Sequence, residues 1–248
     1  MAEALLELDV GNSSLKWRKR CGVSVVDSGR LAWSELASLD AVLEDVQRVL
    51  VGSVAGESSN EILRDYFSGR GLQAEFAQSQ VVCGPVKNAY ADVARMGVDR
   101  WLAMVAAFRE FSAACLVVDV GTALTLDMVS GEGVHHGGYI IPGPQMMLQA
   151  LLSGTDRVRF AEEGAQTIAP GVITDECVHH GKWLALIGAV SQARQQMAAL
   201  VDEAPLVVVA GGAGAALIAA AGSQANDWIY REDLVLDGLY PVINGWSA

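Results

Sequence analysis

Two apolar runs along the chain end in the same polar punctuation. Leu5-Leu6-Glu7-Leu8-Asp9-Val10-Gly11-Asn12-Ser13 is echoed by Cys115-Leu116-Val117-Val118-Asp119-Val120-Gly121-Thr122-Ala123. After each, alternating or β-branched positions continue: Leu15 and Trp17 in the first, Thr125, Leu126 and Met128 in the second. Extended patterns flanking a glycine-bearing turn predict a β-hairpin, with Asp, Gly and Asn or Thr in the turn itself. Repetition of the device predicts two similar halves, each opening with such a hairpin. The boundary falls near Ser112, giving domains 1–112 and 113–248.

Between the hairpins, Leu50-Val51-Gly52-Ser53-Val54 reads as a strand, and residues 60–68 and 99–111 as helices. Beyond the second hairpin, Gly137-Gly138-Tyr139-Ile140-Ile141-Pro142-Gly143 is a strand entering a turn. Residues 144–152 carry helical spacing of Met146, Met147, Ala150 and Leu151. Residues 174–200 predict a long helix, with Thr174 as N-cap and Glu176 near its positive end. Residues 206–210 are a buried strand running into Gly211-Gly212-Ala213-Gly214 and a further helix. The mixture is α/β.

With 248 residues, 52% hydrophobic and a mean hydropathy of +0.30, the chain can bury a large core without staples. Its formal net charge of −12 argues against nucleic-acid binding, which needs basic surface to displace counterions. An anionic substrate remains open, because backbone N–H groups can hold phosphate and a nucleotide arrives with its metal. Cys21, Cys83, Cys115 and Cys177 have no CxxC spacing and read as incidental thiols of a reducing compartment. No signal-peptide pattern appears, and no apolar run approaches the roughly 18 residues of a membrane span. A cytoplasmic protein without membrane association is expected.

The first turn has the parts of a phosphate site. Gly11 removes a Cβ from the approach path, Asn12, Ser13 and Ser14 carry donors, Lys16 adds positive charge, and Asp9 can hold hydrated magnesium. Gly121 and Thr122 repeat the logic. An ordinary Asp/Gly turn remains the alternative for either alone. Gly211 and Gly212 follow a strand and open a helix, where adenosine could slide against backbone. Leu217 stands where a dinucleotide fingerprint needs Gly or Ala, and no Walker A sequence occurs, so a dehydrogenase or a P-loop enzyme is disfavoured.

Two Asp-x-Gly-[Asn/Thr] hairpins followed by a late Gly-Gly turn resemble the phosphate and adenosine motifs of the superfamily of actin, heat-shock chaperones and sugar and acetate kinases. That resemblance implies two ribonuclease-H-like (actin-like ATPase) domains with an interdomain nucleotide cleft. Asn88-Ala89-Tyr90 with Gly97-Val98-Asp99-Arg100 resembles the signature of type III pantothenate kinases. So do the Gly137–Gly143 run, Thr174 before the long helix, and Asp233-Leu234-Val235-Leu236-Asp237-Gly238-Leu239. The likeness covers nearly the whole chain in the right order.

The resemblance implies ATP-dependent phosphorylation of pantothenate, the entry to coenzyme A synthesis. Asp99 would take the proton of the pantothenate hydroxyl, and Tyr90, Gly97, Val98 and Arg100 would line that substrate's site. Asp9, Gly11, Asn12, Ser13, Ser14, Lys16, Gly121, Thr122, Gly211 and Gly212 would bind ATP with Mg2+. Asp119 would ligate a monovalent cation, K+ or NH4+. Thr174 would reach a neighbouring subunit's pantothenate site, implying a homodimer.

Chemistry supports Asp99 separately, since a primary alcohol needs a carboxylate to accept its proton as the phosphorus–oxygen bond forms. A plain helix N-cap is its structural alternative. Residues 154–160 depart from the family's usual run, and Ala213 and Ala215 replace polar residues common in the late glycine turn. His135-His136 and His179-His180 are adjacent pairs whose side chains diverge, poor chelates for a metal. A related small-metabolite kinase and a non-catalytic ATP-binding regulator are the two rival readings.

Overall fold

The computed structural model describes residues 3–155, 159–161 and 163–246. Asp156, Arg157 and Val158 of the atypical run therefore lie outside the described residues. The chain forms two units, one of Met1–Gly84, Tyr90–Ala106 and Leu234–Ala248, the other of Pro85–Ala89 and Ala107–Asp233. This is more interleaved than the single cut expected at residue 112. The last helix packs on the sheet of the first unit, a partnership that chain order does not reveal.

The first unit is built on β1 (Ala4–Val10), β2 (Ser14–Cys21), β3 (Ser24–Ala32), β4 (Arg48–Ser53) and β5 (Ala74–Phe76), in the order β3-β2-β1-β4-β5. β1 pairs antiparallel with β2 and parallel with β4, and β4 pairs parallel with β5. Helices α1 (Glu57–Ser68) and α2 (Val98–Phe111) follow, with the two-residue strands β6 (Val82–Cys83) and β7 (Val86–Lys87) between them.

The second unit has β8 (Cys115–Val120), β9 (Ala123–Val129), β10 (His135–Pro142), β11 (Leu206–Ala210) and β12 (Trp228–Tyr230), ordered β10-β9-β8-β11-β12. Helices α3 (Pro144–Gly154), α4 (Thr174–Val201) and α5 (Gly214–Ala221) belong to it, and α6 (Leu234–Asn244) returns to the first unit. The two sheets thus share one topology, an antiparallel three-strand meander whose first strand is extended by two parallel neighbours. This is the repeated ribonuclease-H-like plan that the echoed hairpins implied. In each hairpin the aspartate sits on the strand and not in the turn: Asp9 pairs with Lys16, and Asp119 with Thr125.

β1 is central and covered on both faces, which is why its apolar run is nearly continuous. Leu6, Leu8 and Val10 pack with Leu36, Leu39, Leu63 and Phe67 on one side. The other face carries Glu7, which is fully buried. Its carboxylate accepts from Arg18 Nε at 2.7 Å and from Arg20 Nη1 at 3.2 Å, and Arg18 Nη1 donates to Asp237 of α6 at 2.7 Å. A buried charge persists only with such partners.

α6 crosses α2 at backbone contact. A Cβ on Gly238 would stand 2.2 Å from the Leu102 carbonyl oxygen. One on Gly52 of β4 would meet Leu102 Cδ1 at 2.7 Å. In the second unit, Leu116, Val118, Leu124, Leu126, Val207 and Val209 pack with Trp183, Leu186 and Val190 of α4 and Leu217 of α5.

Helix α4 begins one residue earlier than expected. Ile173 is its N-cap and makes no side-chain cap, while Thr174 is the first helical residue. Glu176 of the first turn reaches back past the N-cap, where its Oε2 accepts from the Val172 N–H at 2.9 Å. α1 starts at Glu57, three residues ahead of expectation, because Gly56 supplies the extended N-cap backbone. Among the described residues no helix is long and apolar enough to cross a membrane.

Candidate active site

In the first unit the chemistry gathers at the end of β1. The turn after it closes with the Gly11 N–H donating to the Ser14 carbonyl at 3.0 Å, and Trp33 Nε1 braces it by donating to the Gly11 carbonyl at 3.3 Å. Gly11 and Gly121 both have ordinary negative φ, so neither is required by backbone conformation. A Cβ at either would also meet only ordinary contacts, 3.4 Å from the Ser14 carbonyl oxygen at Gly11 and 3.8 Å from the Ala123 carbonyl oxygen at Gly121.

Asp9 faces Lys16 across the hairpin, and Arg30 of β3 pairs next to Lys16. Burial pushes the Asp9 carboxyl up to about 6, the nearby Asp99 carboxylate adds to the rise, and Lys16 and Arg30 offset part of it. Asp9 and Asp99, ninety positions apart in the chain, are therefore electrostatic neighbours.

Asp99 stands in the first turn of α2, where its Oδ1 accepts from the Arg100 N–H at 2.8 Å. It lies one residue inside the helix, past Val98, and not at the N-cap expected as its structural alternative, and its charge reaches Asp9. Gly97 makes room for it: a Cβ there would lie 2.6 Å from Asp99 Oδ1. Arg100 is buried, its Nη1 donates to the Tyr90 hydroxyl at 2.9 Å, and its guanidinium lies 5.7 Å from the Tyr90 ring centroid. A buried guanidinium with a phenol beside it suits a planar anion such as a carboxylate. Val98 is buried beneath this turn.

The second unit gathers another set. The Gly121 N–H donates to the Ala123 carbonyl at 2.9 Å, and the Gly143 N–H to the Thr122 carbonyl at 2.9 Å. Gly211 has a φ of +85°, and a Cβ there would lie 2.3 Å from Asp119 Oδ1 and 2.6 Å from the Val120 carbonyl oxygen. The Ala213 N–H then donates to the Val120 carbonyl at 3.0 Å. Asp119, Gly121, Thr122, Gly211 and Gly212 thus form one cluster, while Thr174 is exposed at the start of α4.

Both donor sets fit the cations considered. Asp9 brings a hard oxygen donor whose charge its basic neighbours only partly offset, which suits Mg2+ shared with phosphate oxygens. Among the described residues no group of three or more His, Cys, Asp or Glu could hold a metal. Around Gly211, the Asp119 carboxylate and the Val120 carbonyl lie close together, an all-oxygen pairing suited to K+ or NH4+.

Three contributors escaped the sequence reading. Arg30 and Trp33 reach the first turn through the β2–β3 pairing, which no local pattern discloses. Gly143 was visible only as the end of a strand. A Cβ there would sit 2.2 Å from the Gly121 carbonyl oxygen, so the glycine is what lets α3 start against the second turn.

A family model described as type III pantothenate kinase matches residues 5–196. A type III pantothenate kinase of Marinobacter nauticus is 36% identical over 238 residues, spanning 95% of this chain and 96% of the relative. Those of Hahella chejuensis and Pseudomonas putida are 35% and 37% identical, over 243 and 247 residues, spanning 96% and 95% of this chain and 97% of each relative. Among solved structures, a protein from Campylobacter jejuni described as a candidate Baf family transcriptional activator aligns with a TM-score of 0.61 at 19% identity, covering 96% of this chain and 97% of that one. A candidate N-acetylmannosamine kinase from Listeria monocytogenes aligns with a TM-score of 0.52 at 13% identity, over 97% and 99% of the two chains. At such identities these two structures speak to the fold.

Proposed function

The chain belongs to the type III pantothenate kinase family, and from that premise we propose that it transfers the γ-phosphoryl of ATP to pantothenate, giving 4′-phosphopantothenate for coenzyme A synthesis. The observation that carries the reading is the neighbouring carboxylates of Asp9 and Asp99 in the same unit as the buried Arg100–Tyr90 pair. One acid is needed beside the phosphates, another beside the alcohol, and a cationic pocket for the acceptor's own carboxylate.

Asp99 accepts the hydroxyl proton as the pantothenate oxygen bonds to phosphorus and the bond to ADP breaks. Its fixed Oδ1, held by the Arg100 N–H, sets the direction of the carboxylate. Arg100 and Tyr90 bind the pantothenate carboxylate, with Gly97 and Val98 lining the approach. In this reading each turn supplies donors to phosphate oxygens, the first from Asn12, Ser13, Ser14 and Lys16 with Gly11 leaving the approach open, the second from Thr122 beside Gly121. Gly211 and Gly212 take the adenosine. Asp9 would hold Mg2+, and Asp119 the monovalent cation. When bound, magnesium neutralises charge on the triphosphate.

A cytoplasmic homodimer is the working form in this reading, with Thr174 entering the partner's pantothenate site. Its support is a groove of about 530 Å³ between α3 and α4, lined by Met147, Leu148 and Leu151, with Met146, Leu152 and Leu184 exposed nearby. Sedimentation at micromolar concentration tests the dimer.

A coupled ADP-release assay with pantothenate, run with and without potassium or ammonium, tests the activity. Pantothenate-dependent ADP release that rises with the monovalent cation is expected. Preference for an amino sugar in a substrate panel would reassign the chain to another metabolite, and ATP binding with no acceptor phosphorylated would make it a regulator.

A further inference from the structure

The Asn88-Ala89-Tyr90 segment has been placed by its likeness to a substrate motif, yet its anchoring comes from residues outside every motif. Lys87 donates its N–H to the Gly133 carbonyl at 2.9 Å and forms a parallel bridge with Val134. Gly133, at a φ of +81°, lets the chain come so close that a Cβ would lie 2.6 Å from the Pro85 carbonyl oxygen. The loop that receives the segment is itself fixed, since Ser130 Oγ accepts from the N–H groups of Glu132 and Val134, each at 3.3 Å.

Beyond this dock stands His135. Its side chain is fully buried, and so is that of Asp127, with Nε2 and Oδ1 3.1 Å apart. Its other nitrogen, Nδ1, accepts from the Ala89 N–H at 3.4 Å. Those two bonds fix the tautomer: an acceptor at Nδ1 leaves the proton on Nε2, pointing at the carboxylate. A register irregularity between His135 and Gly138 interrupts the β9–β10 pairing here, and bulges commonly re-aim a side chain. Neither chemistry nor metal binding uses this pair. The Ala89 hydrogen bond ties it to the peptide just before Tyr90.

We propose that His135, oriented by Asp127, is a positioning residue that holds the Asn88–Ala89 peptide and so sets where Tyr90 enters the pantothenate site. The proposal rests on the pantothenate reading for its kinetic consequence, though the anchoring itself does not depend on it. Loss of the acceptor leaves the Ala89 N–H poorly satisfied and frees the segment. Substrate binding then weakens while proton transfer by Asp99 does not.

Two isosteres separate positioning from mere packing. His135→Asn places an amide oxygen where Nδ1 lies and preserves the acceptor. His135→Gln reaches toward Asp127 and loses it. His135→Gln is expected to raise the pantothenate KM about tenfold, the scale of one net hydrogen bond, with kcat and the ATP KM within about twofold of wild type. His135→Asn is expected to stay within about threefold on all three. In parallel, hydrogen–deuterium exchange of the peptide covering residues 85–91 is expected to accelerate in His135→Gln and to match wild type in His135→Asn.

Equal effects of the two substitutions, a parallel change in the ATP KM, or unchanged exchange in His135→Gln would each overturn the proposal. Should His135→Gln fail to fold, Asp127→Asn carries the test, with a raised pantothenate KM at unchanged kcat as the expected result and a fall in kcat alone as the refuting one. If the wild type does not phosphorylate pantothenate, the functional reading falls, and the exchange comparison still decides the anchoring.

Discussion

Asp9→Asn should make the unliganded protein more stable at neutral pH while removing its activity. Burial and the Asp99 carboxylate raise the Asp9 pKa from 3.8 to about 6 in the folded chain. The native state therefore binds a proton that the unfolded state has released between these values, and stability falls as pH rises through that window. About two pKa units at roughly 1.4 kcal/mol each give about 3 kcal/mol; partial exposure of the side chain brings the working figure to about 2 kcal/mol. The cost vanishes below about pH 3, is small near pH 4 and is complete above about pH 7. Asparagine keeps the shape and drops the charge, so the variant escapes the cost.

Thermal unfolding in EDTA without nucleotide is the assay. For a chain of this length about 2 kcal/mol corresponds to a rise of roughly 4–8 °C in Tm at pH 7.5. At pH 4 most of the difference should be gone. Comparing the two pH values cancels whatever the substitution does to packing. A variant less stable than wild type at pH 7.5, or a difference independent of pH, would refute the argument. Stability gained by deleting a functional charge is the expected signature of a site arranged for a cation.

Other outcomes follow from single contacts. Asp99→Asn is expected to lower kcat by roughly 10²–10⁴, the range for loss of a general base, with ATP affinity retained in calorimetry; near-normal turnover would remove Asp99 from its role. Gly238→Ala forces a Cβ to 2.2 Å from the Leu102 carbonyl oxygen, so α6 and α2 must part. It should cost about 2–4 kcal/mol in urea unfolding, at or just above the usual range for overpacking. Gly211→Ala combines a φ of +85° with a Cβ 2.3 Å from Asp119 Oδ1. The expected result is a raised ATP KM and a weaker response to potassium, with pantothenate KM little changed.

Much of the site was legible because its parts are local. A strand, an aspartate, a glycine and a small hydroxyl residue are consecutive in the chain, and the pattern states itself twice. Gly97-Val98-Asp99-Arg100 is likewise one turn, in which the glycine makes room for the very carboxylate that follows it. The expectation for Thr174 missed by one position because capping depends on where the backbone turns helical, and here Ile173 is the last extended residue before α4. Helix α6 was seen only as a motif, since Gly238 and Pro241 weaken its intrinsic propensity, and packing against β1, β4 and α2 supplies what propensity lacks.

By itself the sequence determined the α/β class and the repeated hairpins and named the candidate reacting groups, because short-range periodicity and turn chemistry act between neighbouring residues. Only the tertiary structure decided which distant groups share an environment. Asp9 feels Asp99, Arg30 and Trp33 reach the first turn, Gly211 rests on Asp119, and Asp127 orients His135 toward Ala89. Burial and electrostatic coupling depend on distance in space, and chain separation carries no information about that until the strands have paired.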